Sequence, residues 1–329
     1  MSSGQDGTRA DSPLWVVTSY YNPAGYRRRL QNFHVFRRFL NAPLLVVELA
    51  AGSDFALTSS DAEIVLQLAG EDRIWQKERL LNLAFQHLPA HVEYVAWLDC
   101  DVVLSDPDWP ERAMAQLSRT DGPMQLFETV HHVPPEASEA PTRDALLSAR
   151  RFLAQRAVAT TASDADAYFA ARRAERGDDP SRPPKSRVAG GMAWAAHRRD
   201  IEACGLYDRA VLGGGDAIFV CGLRGWIPRL VDESGHCEGL LHDALRWSER
   251  ARDRMGDAIG ALPLDMVHLW HGAFEDRNYF GRSRILRAHG YDPATDVTLA
   301  PNGTLAWADP DGALARDVAA YFDTRCEDG

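Results

Sequence analysis

Residues 14–21, LWVVTSYY, make a short apolar, β-rich run that ends in polar positions, the pattern of a buried strand. The next segment, YRRRLQNFHVFRRFL (26–40), spaces Leu30, Phe33, Phe36, Phe39 and Leu40 as a helix would, with arginines opposite. APLLVVELA (42–50) reads as a second buried strand, and DRIWQKERLLNLAFQHL (72–88) as an amphipathic helix stopped by Pro89. VEYVAWLDCDVVL (92–104) reads as a third strand. This alternation predicts an α/β domain with a largely parallel sheet, whose ligands sit at the carboxyl ends of the strands.

The pattern then changes. Residues 133–187 open with Pro134, Pro135 and Pro141, continue through an Ala- and Arg-rich helical stretch and close on RGDDPSRPPKSR. They read as a helical insertion or lid, or as a plain surface hairpin. From 188 to 226 a glycine turn leads to a short strand, a helix, three glycines with Asp216, and a second apolar helix. PLDMVHLWHGAFEDRNYFGR (263–282) carries two histidines three apart, and 286–310 reads as a helix end followed by a hairpin through Asn302-Gly303.

Composition narrows the function classes. The chain has 329 residues, 45% hydrophobic and 25% charged, enough for a sizeable core. A net charge of -11 speaks against gripping nucleic acid or an anionic membrane, which needs a basic field. Five scattered cysteines without a CxxC pair suggest neither zinc knuckle nor disulfide scaffold and fit a reducing cytoplasm. The polar start MSSGQDGTRADSP reads as a disordered tail over 1–13 rather than a signal peptide. No apolar run approaches the ~18 residues of a membrane span.

Three segments could carry chemistry. Asp99 and Asp101 follow an apolar run; on one strand face they would approach the same hard cation, although such acids also cap loops or pair with arginines. In VLGGGDAIFV (211–220) the glycines permit a tight turn, and Asp216 reads as a general base or as a helix N-cap. His268 and His271 would share a helix face and either could ligate a metal, although satisfied core histidines are common. Trp270 suits packing or stacking on a sugar ring, while Arg277 and Arg282 suit phosphate contacts or plain surface.

The order of these segments resembles the nucleotide-sugar-dependent glycosyltransferases of the GT-A fold. The likeness is to the inverting branch with polypeptide N-acetylgalactosaminyltransferases, β-1,4-galactosyltransferases and chondroitin-type polymerases. It covers roughly 14–132 and 188–280. The resemblance implies an α/β fold with a mixed, mostly parallel sheet flanked by helices. It divides the chain into a nucleotide-sugar-binding half (14–132), the insertion (133–187), an acceptor-side and catalytic half (188–285) and a C-terminal hairpin and helix (286–329).

Carried over position by position, it makes Asp99 and Asp101 the DxD motif, with Asp101 the direct ligand of manganese or magnesium and His271, or else His268, completing the coordination. Asp216 becomes the catalytic base, and Gly190, Gly191, Met192, Gly214 and Gly215 border the donor sugar. Thr18, Tyr20 and Glu48 would hold the nucleoside, with Trp75, Gln76, Lys77 and Arg79 at base and phosphate. The implied reaction moves a sugar with inversion from a nucleotide-sugar, expected to be UDP-linked, to an unidentified glycan, protein or small-molecule acceptor in the cytoplasm. The chain departs from the pattern in its YYNP start and in the glycine before and alanine after Asp216. A nucleotidyltransferase, a metal hydrolase and a catalytically inactive sugar-binding relative are the rival readings, although TSYYNPAG lacks the glycine-rich basic loop of the first.

Overall fold

The computed structural model describes residues 10–173, 187–234, 237–273, 276 and 279–329. Residues 1–9 of the expected tail, 176–186 of RGDDPSRPPKSR and Arg277 lie outside the described residues.

The first half of the chain lays down β1 (Leu14–Tyr21), β2 (Leu44–Ala50), β3 (Ile64–Ala69), β4 (Tyr94–Leu98), β5 (Val102–Leu104), β6 (Met124–Gln125) and β7 (Thr129–His132). The rest of the chain adds β8 (Leu153–Ala157), β9 (Val188–Ala189), β10 (Ala193–His197), β11 (Gly260–Ala261), β12 (Asp265–His268) and the hairpin β13 (Val297–Leu299) and β14 (Leu305–Trp307). A seven-stranded sheet has the order β11-β6-β10-β4-β1-β2-β3. β1, β2, β3 and β4 run parallel, and β10 is antiparallel to both neighbours, β4 and β6. A second sheet, β5-β12-β7-β8-β9, packs alongside. The fold is mixed α/β with a largely parallel central sheet and flanking helices.

Burial explains why these segments take these forms. β2 is buried on both faces from Leu44 to Leu49, so its sequence runs apolar instead of alternating. The helix Arg27–Phe39 covers one face with Phe33 and Phe36. The other face carries Trp97 stacked on Trp194 at 6.3 Å, with Phe219 edge-on to both. Truncating such a buried aromatic to alanine costs about 3–5 kcal/mol.

Two expectations need correction. Residues 92–104 are not one strand: β4 ends at Leu98, Asp99 to Asp101 turn, and β5 joins the second sheet. Aspartate fits a paired strand poorly, and the turn is stitched on both sides. Asp99 N donates to Met192 O at 2.7 Å and Leu269 N donates to Asp101 O at 2.8 Å. Nor do His268 and His271 share a helix face: His268 ends β12 and His271 lies in the loop beyond it. Within 133–187, β8 threads between β7 and β9, so this segment supplies a strand as well as helices.

Candidate functional site

The turn after β4 divides its two aspartates between two clusters. Asp101 faces the histidines: Oδ2 lies 3.3 Å from His271 Nε2, and Oδ1 lies 3.7 Å from His268 Nε2. One potential ligand atom from each of the three residues falls within 4.8 Å of the others. The Leu269 hydrogen bond to the Asp101 carbonyl ties the two segments at this point. A carboxylate and two imidazoles form a mixed oxygen and nitrogen donor set that first-row divalent ions such as manganese, iron or zinc accept, and that suits magnesium less, since it prefers all-oxygen shells. The residues present therefore fit a transition-metal dication.

Asp99 turns instead to Lys77, whose Nζ donates to Asp99 Oδ1 at 3.1 Å. The same ammonium donates to Asp216 at 2.9 and 3.1 Å and lies 3.6 Å from Glu78 Oε1. Lys77 opens the helix Lys77–Phe85, and Asp216 sits in the first turn of Gly215–Leu223. The glycines make this approach possible. Gly213 and Gly214 hold φ values of +81° and +96°, which turn the chain into that helix. A Cβ on Gly191 would fall 2.5 Å from Asp216 Oδ2, and one on Gly215 would run into the Glu78 carboxyl.

One ammonium cannot neutralise three carboxylates. Burial works against the Lys77 charge, but Asp216, Asp99 and Glu78 outweigh it and hold its pKa well above the ordinary lysine value. Burial pushes Asp99 up to about 7, opposed by Lys77 and reinforced by Asp216 and Asp101. Burial likewise raises Glu78 to about 7. The cluster thus holds protons near neutrality and would welcome another positive charge.

The remaining expected site residues are placed differently. Thr18 is fully buried and donates to Leu98 O at 2.6 Å, tying β1 to β4. Tyr20 is buried and accepts from Asn22. Glu48 is buried, with its carboxylate accepting from the backbone of Ala56 and Leu57 and from Gln67. Gln76 exchanges hydrogen bonds with Leu305, and Arg79 binds Gly303 O and Asp208. The structure gathers Lys77, Asp99, Gly191, Gly215 and Asp216 around one centre, with Asp101, His268 and His271 grouped beyond the turn. Gly190 and Met192 flank Gly191, and Met192 holds a φ of +80°, uncommon for a side-chain-bearing residue.

Further charged residues adjoin the histidines without any signal in the sequence pattern. Glu327, near the end of the chain, is completely buried and lies 3.9 Å from His271 Nδ1. Arg29 Nη2 donates to Glu327 Oε1 at 2.7 Å, and Arg325 Nε lies 2.6 Å from the same oxygen. Both guanidinium groups sit 5.2 Å from the ring centre of Trp75. Arg29 belongs to the arginine-rich side of its helix, which the amphipathic spacing assigns to solvent.

No family model matches the chain, and no curated protein sequence matches it. Solved structures show distant likeness. S. aureus TarS 1–349 in complex with UDP-GlcNAc matches at 11% identity over 95% of this chain and 72% of that one, with a TM-score of 0.41. Glucosyl-3-phosphoglycerate synthase from Mycobacterium tuberculosis, in complex with Mn2+, UDP and phosphoglyceric acid, matches at 13% identity over 93% and 92%, TM-score 0.39. The catalytic domain of Drosophila β1,4-galactosyltransferase 7 with xylobiose matches at 11% identity over 75% and 63%, TM-score 0.32.

Proposed function

We propose that this chain is a GT-A glycosyltransferase that moves a sugar from a UDP-sugar to an acceptor hydroxyl with inversion, dependent on a divalent metal. The observation that carries the proposal is the pairing of two clusters across one turn. Asp101, His268 and His271 converge within 4.8 Å, and beside them Asp216 is clamped at 2.9 Å by Lys77 at the carboxyl ends of the parallel strands. A metal ligand set next to a positioned carboxylate is what displacement of a diphosphate by a hydroxyl needs.

Asp101, His271 and His268 would hold manganese, which supplies charge neutralisation for the leaving diphosphate. Asp216 accepts the acceptor's hydroxyl proton while the new oxygen–C1 bond forms and the C1–phosphate oxygen bond breaks, with the electron pair leaving on the diphosphate. Lys77 fixes the direction of the Asp216 carboxylate, and it lies where it can also meet a donor phosphate or sugar hydroxyl. Gly191 and Gly215 let the Asp216 and Glu78 carboxyls pack against the backbone, while Gly214, with no atom within 4 Å of where its Cβ would stand, leaves space on the side proposed for the donor sugar. Trp75, half-buried and stacked on Phe322, braces the Arg29 and Arg325 guanidinium groups at the end of the site proposed for the nucleotide.

Water can stand in for the unidentified acceptor. Proton NMR of the chain with manganese and a panel of α-linked UDP-sugars should show metal-dependent UDP release with the β-anomer appearing first. The α-anomer appearing first would overturn inversion. UDP release from Asp101→Asn equal to that of the wild type would overturn the metal assignment.

A further inference from the structure

Beside the metal ligand set lies a second charged group whose architecture the proposed reaction does not use. Glu327 is fully enclosed, yet it belongs to the last residues of the chain, beyond the helix Ala313–Asp323. Its carboxylate faces Arg29 through two contacts, at 2.5 and 2.7 Å, and Arg325 through one at 2.6 Å. Two guanidinium groups braced on one indole and closing on one oxyanion reproduce the fork geometry that recognises phosphate. The group also touches the metal ligand set, with Glu327 Oε1 3.9 Å from His271 Nδ1.

The segment carrying Glu327 is seated by specific ties. Cys326 N donates to Tyr26 Oη at 3.1 Å, and Asp328 accepts from the backbone N–H groups of Arg27 and Arg28 at 3.2 and 2.8 Å. Gly272 is matched to it, since a Cβ there would lie 3.0 Å from Glu327 Cα. Cys326 holds a φ of +42°, a strained value for a residue other than glycine.

We propose that Arg29 and Arg325 form a seat for a phosphate oxyanion of a nucleoside diphosphate, and that Glu327 fills this seat as an internal competitor. The proposal rests on the reading of the chain as a nucleotide-sugar enzyme. Because the carboxylate is completely buried, an external anion reaches the arginines only when Cys326–Gly329 lifts away. Donor binding and release of the tail are therefore one equilibrium, and removing the competitor strengthens the ligand.

The probes are inorganic pyrophosphate and UDP, each titrated with manganese into the full-length chain. Glu327→Gln should bind pyrophosphate about five- to a hundredfold more tightly than the wild type, and Arg29→Gln should lose that binding. A spin label on Cys326, the exposed cysteine, should change from an immobile to a mobile line shape as pyrophosphate is added, with Cys326→Ser as the labelling control. The label reads an otherwise native chain, so it decides the matter if Glu327→Gln does not fold. Equal pyrophosphate affinity in wild type and Glu327→Gln, an unmoved label, or no pyrophosphate binding by either protein overturns the seat. Metal-dependent UDP binding with those results leaves the transferase reading standing. The expected pyrophosphate behaviour without any gain from the uridine moiety supports the seat and overturns the nucleotide.

Discussion

At the ends of β1 and β2, Thr18 and Glu48 give their polar groups to the protein's own backbone: one hydroxyl to Leu98 O, one carboxylate to the Ala56 and Leu57 amides. At the turn after β4, in the same layer, Asp99, Asp216 and Glu78 share the single ammonium of Lys77. Both regions bury polar groups, but the first gives each its own hydrogen-bond donors or acceptors from the frame, while the second crowds three carboxylates around one cation. A hydrogen-bonded buried group fixes the fold, while a surplus of carboxylates around one cation stores a demand for a proton, a metal or a ligand. The contrast points to the lysine cluster and the neighbouring Asp101, His268 and His271 group as the proposed seat of chemistry, with β1 and β2 as their frame.

The contrast breaks most sharply at Asp216. Asp216→Asn should lower transfer about 10²–10⁴-fold while UDP affinity stays within about threefold, since the amide keeps the shape and loses the base. Unchanged turnover would remove Asp216 from the chemistry. Next comes Lys77→Met, which strands three carboxylates; thermal and denaturant unfolding should show a loss of about 3–5 kcal/mol. An unaltered midpoint would mean that the cluster settles its charge without the lysine.

Glu78 sharpens the comparison through pH. Its folded pKa of about 7 stands above the ordinary 4.5, so the native state binds the proton more tightly than the unfolded chain. That stabilisation is complete below about pH 4.5 and fades as pH rises through 7. Unfolding followed from pH 4.5 to 7.5 should show wild-type stability falling by about 1–3 kcal/mol more than that of Glu78→Gln. Parallel slopes would contradict the assignment. The smallest effect belongs to the settled region. Thr18→Val should cost about 1 kcal/mol of stability through the lost hydrogen bond and leave UDP affinity alone. Weakened UDP binding at unchanged stability would show Thr18 touching ligand.

How much of this was readable beforehand depended on the range of the signal. β1 and β2 announce themselves as local apolar runs, the helices at 27–39 and 77–85 through local periodicity, and the hairpin through Asn302-Gly303. The break at Asp99 does not, because Val102–Leu104 is as apolar as Val95–Leu98 and periodicity cannot see a change of sheet. The second sheet is hidden for a related reason: its strands are short, and TVHH and LAQRA carry polar residues. Asp101, His268 and His271 stand out by chemical type, but their convergence comes from a strand end and a loop. Arg29 and Glu327 could not be paired by reading, since 298 positions separate them. Only the folded chain brings them together.

The central claim is that the Asp101, His268 and His271 group and the Lys77–Asp216 clamp together make a metal-dependent nucleotide site. Calorimetric titration of UDP and UDP-sugars into the full-length chain, with manganese and then with chelator, tests it most directly. The account predicts tight binding with manganese and its loss on chelation, with one UDP-sugar preferred over the others. Binding of no nucleotide under either condition, or binding indifferent to the metal, would contradict it.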